Sequence, residues 1–111
     1  MTASEMAAAC GFALACGDGE REVGGGIYCC DLLSIVMGRA PADCAWVTVM
    51  GNLNSIAVAV LADTACIVLA EGMSLDADAR ARGETENVAV LQTPLPVYEA
   101  ARALANALGL P

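Results

Sequence analysis

Short apolar runs rich in strand-forming residues alternate with helix-forming segments along this chain, and the later runs leave through loops of small polar residues. The clearest run is Ala45 to Met50, where Trp46, Val47, Thr48 and Val49 have high β propensity. Gly51-Asn52-Leu53-Asn54-Ser55 then leads into a helix expected over Ser55 to Leu61. Cys66 to Leu69 is apolar throughout, as in a strand buried on both faces, and exits through Ala70-Glu71-Gly72. A polar surface helix from Ser74 to Arg82, stopped by Gly83, precedes a strand over Val88 to Leu91. That strand exits through Gln92-Thr93-Pro94 into a helix from Pro96 to Leu108, with Gly109 as its stop. Such alternation predicts an α/β fold: a single small domain over residues 1–111, with a mainly parallel central sheet flanked by helices and joined by right-handed crossovers.

The first third of the chain carries its own signals. Thr2-Ala3-Ser4-Glu5 matches a capping box ahead of an alanine-rich helix to about Cys10, and Gly11 is a natural stop. A short strand over Phe12 to Cys16 follows, then turn chemistry at Gly17-Asp18-Gly19 and a charged rim at Glu20-Arg21-Glu22. Three consecutive glycines, Gly24 to Gly26, mark left-handed backbone or a close approach to another backbone or a ligand. After them Ile27 to Cys30 reads as extended, and Asp31 reads as the N-cap of a helix from Leu32 to Met37 that ends at Gly38.

At 111 residues the chain can bury about 65% of the surface its unfolded form exposes. Its formal charge is −8, and all five basic residues are arginines, scattered as Arg21, Arg39, Arg80, Arg82 and Arg102. No basic patch exists to neutralise a phosphate backbone or an anionic bilayer, so neither nucleic acid nor a membrane is an expected partner. The longest apolar stretch, Ile56 to Ala70, is broken by Asp63-Thr64 and is too short to span a bilayer. The polar, acidic start at Met1 to Glu5 does not resemble a secretion signal, so the expected location is the cytoplasm, where the six cysteines stay as thiols. With 58% hydrophobic residues and a mean hydropathy of +0.61, the chain holds more apolar surface than a lone small domain needs inside. A homodimer is therefore expected, its twofold interface covering the surplus.

In an open α/β sheet, ligands sit where loops leave the carboxyl ends of the strands. The four predicted exits supply the candidate ligand-binding residues: Tyr28 and Asp31; Gly51, Asn52, Asn54 and Ser55; Glu71 and Gly72; and Thr93. The Gly51 to Ser55 loop stands out, because amide side chains can bond a base or ribose while backbone N–H groups meet phosphate. The competing reading makes those residues a turn and an N-cap. Neither GxGxxG nor GxxxxGK[ST] is present, and the chain has no lysine, so the glycine run is a tight turn or bulge and no phosphate loop of the usual kinds. Cys29-Cys30 lacks the CxxC spacing, and no histidine occurs anywhere, so no metal site is expected and Ser-His or Cys-His catalysis is excluded. Asp31, Asp43 and Glu71 remain as conceivable bases, but no carboxylate pair stands out, and no catalytic residue or cofactor is expected.

Three blocks carry a family resemblance. Glu20-Arg21-Glu22-Val23 with the glycines and Tyr28-Cys29-Cys30-Asp31-Leu32-Leu33-Ser34-Ile35-Val36-Met37-Gly38-Arg39-Ala40 resemble a DRTGG domain. Trp46 to Asn54 with Ile56 to Val60 resembles its second block, and Leu95-Pro96-Val97-Tyr98-Glu99 the start of its last helix. Glu20 stands where the namesake motif has aspartate, the threonine is absent, and the glycine run is one residue longer. Asp31, Asn52 and Asn54 match without a shift. The resemblance implies the fold shared with the N-terminal domain of HPr kinase/phosphorylase. It also implies a regulatory role, since such domains accompany CBS domains in regulated pyrophosphatases and one fused type binds an adenine dinucleotide polyphosphate. The resulting expectation is a non-catalytic regulatory domain that binds a small anionic or nucleotide ligand at the strand exits. The alternative is a homodimeric interaction protein that docks onto a metabolic enzyme without a small molecule.

Overall fold

A computed structural model describes residues 1–111. Five strands, β1 (Ala13–Cys16), β2 (Ile27–Cys29), β3 (Ala45–Thr48), β4 (Cys66–Leu69) and β5 (Val90–Gln92), make one sheet in the order β1-β5-β4-β3-β2. β2 to β5 are mutually parallel, and β1 closes the sheet antiparallel to β5 with an irregularity between Leu14 and Cys16. The helices are α1 (Ala3–Cys10), α2 (Leu33–Arg39), α3 (Leu53–Ala62), α4 (Ala77–Glu86) and α5 (Val97–Leu108). The expected single, mainly parallel α/β domain is therefore what this sequence forms.

Period-two alternation in the strands builds two cores, one on each face of the sheet. Ala45, Val47, Cys66, Val68 and Leu91 point to one face and pack with Met6 and Ala7 of α1 and Ala100 and Leu104 of α5. Trp46, Ile67, Leu69 and Val90 point to the other, against Val36 of α2, Ile56 and Ala59 of α3 and Ala79 of α4. Trp46 is fully buried, and its indole N–H donates to the Cys30 carbonyl at 2.9 Å, which removes the cost of burying a polar group. Helices α2, α3 and α4, the three crossovers between successive parallel strands, all lie on this second face.

Local chemistry explains the boundaries. Thr2 and Glu5 form the expected capping box, and Gly11 and Gly109 close α1 and α5 in the left-handed conformation. Asn52, not Ser55, caps α3: its Oδ1 accepts from the Ser55 N–H at 3.1 Å, so the helix starts at Leu53. The helix expected from Ser74 to Arg82 instead runs from Ala77 to Glu86 and ends on Asn87, with Gly83 inside it rather than stopping it. Gly83 stays helical because a side chain there would strike Cys16 Sγ of β1, so the glycine serves close packing. No helix is long and apolar enough to cross a membrane.

Asp31 is also not the cap that its position suggests. α2 begins at Leu33, with Leu32 in the cap position and no side-chain cap. The Asp31 carboxylate turns instead to the end of β3, accepting from Thr48 Oγ1 at 2.7 Å and from the Val49 N–H at 3.0 Å. The buried Thr48 hydroxyl needs a partner there, whereas the exposed start of α2 can be hydrated.

Candidate functional site

Because β2 to β5 are parallel, their carboxyl ends open on one edge of the sheet, in the order β5, β4, β3, β2. The β4 and β5 exits are stitched together. The Thr93 N–H donates to Leu69 O at 3.0 Å, the Gly72 N–H to Thr93 O at 3.1 Å and the Glu71 N–H to Leu95 O at 2.8 Å. This crossing turns the chain through left-handed backbone at both Glu71 (φ 62°) and Gly72 (φ 71°). A non-glycine residue is strained in that region, by about 1–2 kcal/mol. Glu71 is held there partly by its carboxylate, which accepts from the Val97 N–H at 2.9 Å and so caps the start of α5.

A cleft of about 300 Å³ opens beside this crossing, lined by Gly72, Met73 and Ser74 after β4, by Gln92, Thr93 and Pro94 at the end of β5, and by Ala13 of β1. Thr93 is buried and its Oγ1 accepts from the Leu95 N–H at 3.2 Å, so it shapes the floor. Ser74 is exposed and Gln92 half-buried, and together they offer a hydroxyl and an amide, each both donor and acceptor.

The structure divides the predicted site residues. Gly72 and Thr93 share this cleft. Gly51 adjoins it from behind: a side chain there would overlap the Ser74 carbonyl, and its own carbonyl accepts from the Asp76 N–H at 2.8 Å. Asn52 and Ser55 are occupied with capping, Ser55 being buried with its hydroxyl donating to Met50 O at 2.7 Å. That is the turn-and-cap role which competed with ligand binding. Asn54 lies inside the first turn of α3 and is exposed, outside the β4–β5 cleft. Tyr28 packs half-buried against the second core, and Asp31 is bound to β3. β2 and β5 are three strand spacings apart, about 14 Å. Tyr28 and Asp31 therefore do not line the cleft that holds Thr93.

Ala13, Met73, Ser74, Gln92 and Pro94 are the lining residues absent from the sequence-based set. Gln92 left a signal, as the polar residue that ends the apolar run Ala89-Val90-Leu91. Ser74 left none, because its place follows from α4 starting three residues later than its composition suggests.

The charges at this edge are negative. Asp31, Glu71, Asp76 at the start of α4 and Glu99 in the first turn of α5 all stand on this side of the sheet. The arginines are committed elsewhere. Arg21 bridges Asp43 at 2.7 Å and Asp63 at 2.8 Å at the opposite end of the strands. Arg80 donates to the Ala15 carbonyl, Arg82 pairs with Glu86, and Arg102 lies over the Tyr98 ring. Arg39 is in the last turn of α2, toward that same opposite end. A phosphate at the cleft would meet carboxylates and no guanidinium.

All six cysteines are free thiols. Burial pushes Cys66 up to about 12 and Cys44 up to about 11, which suppresses the reactive thiolate at neutral pH. No group of three or more metal-ligating side chains is assembled.

No protein-family model and no curated protein matches this chain. Among solved structures, it is similar to the CBS and DRTGG domains of the regulatory region of Clostridium perfringens pyrophosphatase, complexed with its activator diadenosine tetraphosphate. The match has a TM-score of 0.78 at 10% identity and covers 96% of this chain. It covers 46% of that chain, so this protein spans about half the length of its structural neighbour. At such identity the likeness shows the fold: this chain has a fold related to one found in a CBS and DRTGG regulatory region.

Proposed function

We propose that residues 1–111 form one DRTGG-like regulatory domain, without catalytic activity of its own, that binds an adenine nucleotide by its nucleoside end in the cleft at the β4 and β5 exits. The observation that carries this reading is the cleft itself. It lies where open parallel sheets take ligands, and its uncharged polar lining of Ser74 and Gln92 suits a base or sugar. Its volume of about 300 Å³ is at the small end of ligand sites, so it accepts one nucleoside and not two. The acidic edge directs the phosphates to solvent. The ligand class is supported by the structural neighbour, whose regulatory region was crystallised with a diadenosine activator. Like that region, the domain would transmit occupancy to a metabolic enzyme in the cytoplasm.

The test is a thermal-shift comparison of adenosine, AMP, ATP and diadenosine tetraphosphate at equal concentrations. Binding to the native state raises the unfolding midpoint with occupancy. The expected result is a rise of similar size for all four, weakened in Gln92→Ala by about 1–2 kcal/mol, a factor of roughly five to thirty in affinity. No rise with any of them, or a rise that grows with the number of phosphates, would contradict the reading.

A second reading, a homodimer that acts as an interaction protein, is favoured by a separate observation. Leu53, Val60 and Leu61 are exposed on α3, with Leu61 at 73%, although clustered apolar side chains on a helix surface are normally covered. A homodimer is compatible with a ligand in the cleft, whereas docking onto a metabolic enzyme without any small molecule is the alternative to it.

A further inference from the structure

We propose that the amino-terminal end of the parallel strands, opposite the β4 and β5 exits, holds a second ligand site that takes a linear aliphatic diamine as its dication. Two clefts open side by side there, of about 410 and 120 Å³, and Arg21, Ala65, Glu86 and Asn87 line both. The observation that points to a ligand is Thr64, in the wall of the smaller cleft. Thr64 is only 7% exposed, and its Oγ1 is the one buried side-chain polar atom of the protein with no hydrogen-bond partner. An unpaired buried hydroxyl weakens a fold, and a donor brought in from outside recovers that loss. Rotation about the Cα–Cβ bond among its staggered positions lets the hydroxyl turn to such a donor.

Charge selects the ligand class. Asp18, Glu20, Asp63 and Glu86 line the two clefts, against Arg21 alone. Arg21 is already bound by Asp43 and Asp63, and Glu86 is paired with Arg82, which leaves Asp18 and Glu20 without a cation. α3 closes on Asp63 and α4 on Asn87, so the negative ends of two helix dipoles fall on the same place. No three carboxylates converge as metal ligands, so the cation that fits is one carrying its own N–H donors. Ala65 and Ala89 in the larger cleft and Val60 and Val88 in the smaller give a methylene chain apolar walls. One ammonium donates to Thr64 Oγ1 and to the Asp63 carboxylate, of which Arg21 holds only Oδ1. The other meets Asp18 and Glu20.

Thermal unfolding with 1,4-diaminobutane tests this, against n-butylamine and magnesium chloride at the same ionic strength. The diamine should raise the midpoint saturably, and the two controls should do so no more than salt screening does. Thr64→Val removes the unpaired hydroxyl, so it should melt above the native protein without ligand and yet bind the diamine roughly fivefold more weakly. A residue that only supports the fold would not move those two readouts in opposite directions. Glu20→Gln, at an exposed position, should keep the native midpoint and also weaken the diamine, which keeps the test decisive if Thr64→Val folds poorly. A diamine response no larger than that of magnesium chloride would overturn the proposal. So would an undiminished response in Glu20→Gln, or in a folded Thr64→Val protein. Amide NMR shifts with the diamine should centre on Gly19, Ala65 and Asn87, and shifts centred on Gly72 and Thr93 would contradict this site.

Discussion

Each of the three consecutive glycines answers to a different constraint. Gly24 has open space where a side chain would go and no left-handed φ. At Gly25 a Cβ would overlap the Ala42 carbonyl and crowd the Cys44 N–H, at the point where the Gly25 N–H bonds to Asp43 O at 2.9 Å. Gly26 has open space but a φ of 78°. Alanine should therefore cost about 3 kcal/mol or more at position 25, where backbone must move. It should cost about 1–2 kcal/mol at position 26, and be neutral or stabilising by about 0.5 kcal/mol at position 24. Urea denaturation of the three variants checks the order. The sequence reading of this run as a close approach of backbone was correct in kind. Which glycine makes the approach depends on the Ala42 to Cys44 turn, and no local pattern announces that. Asp31 makes the same point: its type and place suit a cap, yet a buried hydroxyl at the end of the next strand claims its carboxylate.

Elements whose ends are fixed by local chemistry were legible. The Thr2 and Glu5 box, Gly11 and Gly109 close their helices by bonds within a few residues, and β4 has the bounds that its apolar run suggests. α4 was misread because its glycine is there for packing. Its own propensity favours alanine at Gly83 by about 1 kcal/mol, but the added Cβ would sit 2.6 Å from Cys16 Sγ, which is anchored to Val88 O at 3.3 Å. Gly83→Ala should therefore destabilise the native protein by about 1–3 kcal/mol. In a Cys16→Ala background, where the obstructing sulfur is gone, the same change should be neutral or stabilising. A double-mutant cycle on thermal or urea unfolding measures the coupling, and additive effects would show that α4 does not meet β1 in this way.

At the scale of the whole molecule, parallel pairing of β4 with β5 brings Gly72 to Ser74 beside Gln92 to Pro94, although some twenty residues of chain and all of α4 separate them. The edge on which a ligand should sit was legible from the strand–helix alternation. The particular cleft was not, because the Gly51 to Ser55 residues that looked most suited to a ligand spend their polar groups on capping α3, and Tyr28 and Asp31 stand at the far strand. The acidic character of the edge was equally hidden, since it arises from carboxylates on four separate segments of the chain while the arginines lie elsewhere. The most direct measurement of the central claim is an amide NMR titration of the native protein with adenosine, followed by ATP. Saturable shifts concentrated at Gly72, Met73, Ser74, Gln92 and Thr93, with similar affinity for both compounds, are the predicted result. No saturable shifts at millimolar ligand, or shifts centred on residues outside the β4 and β5 exits, would contradict it.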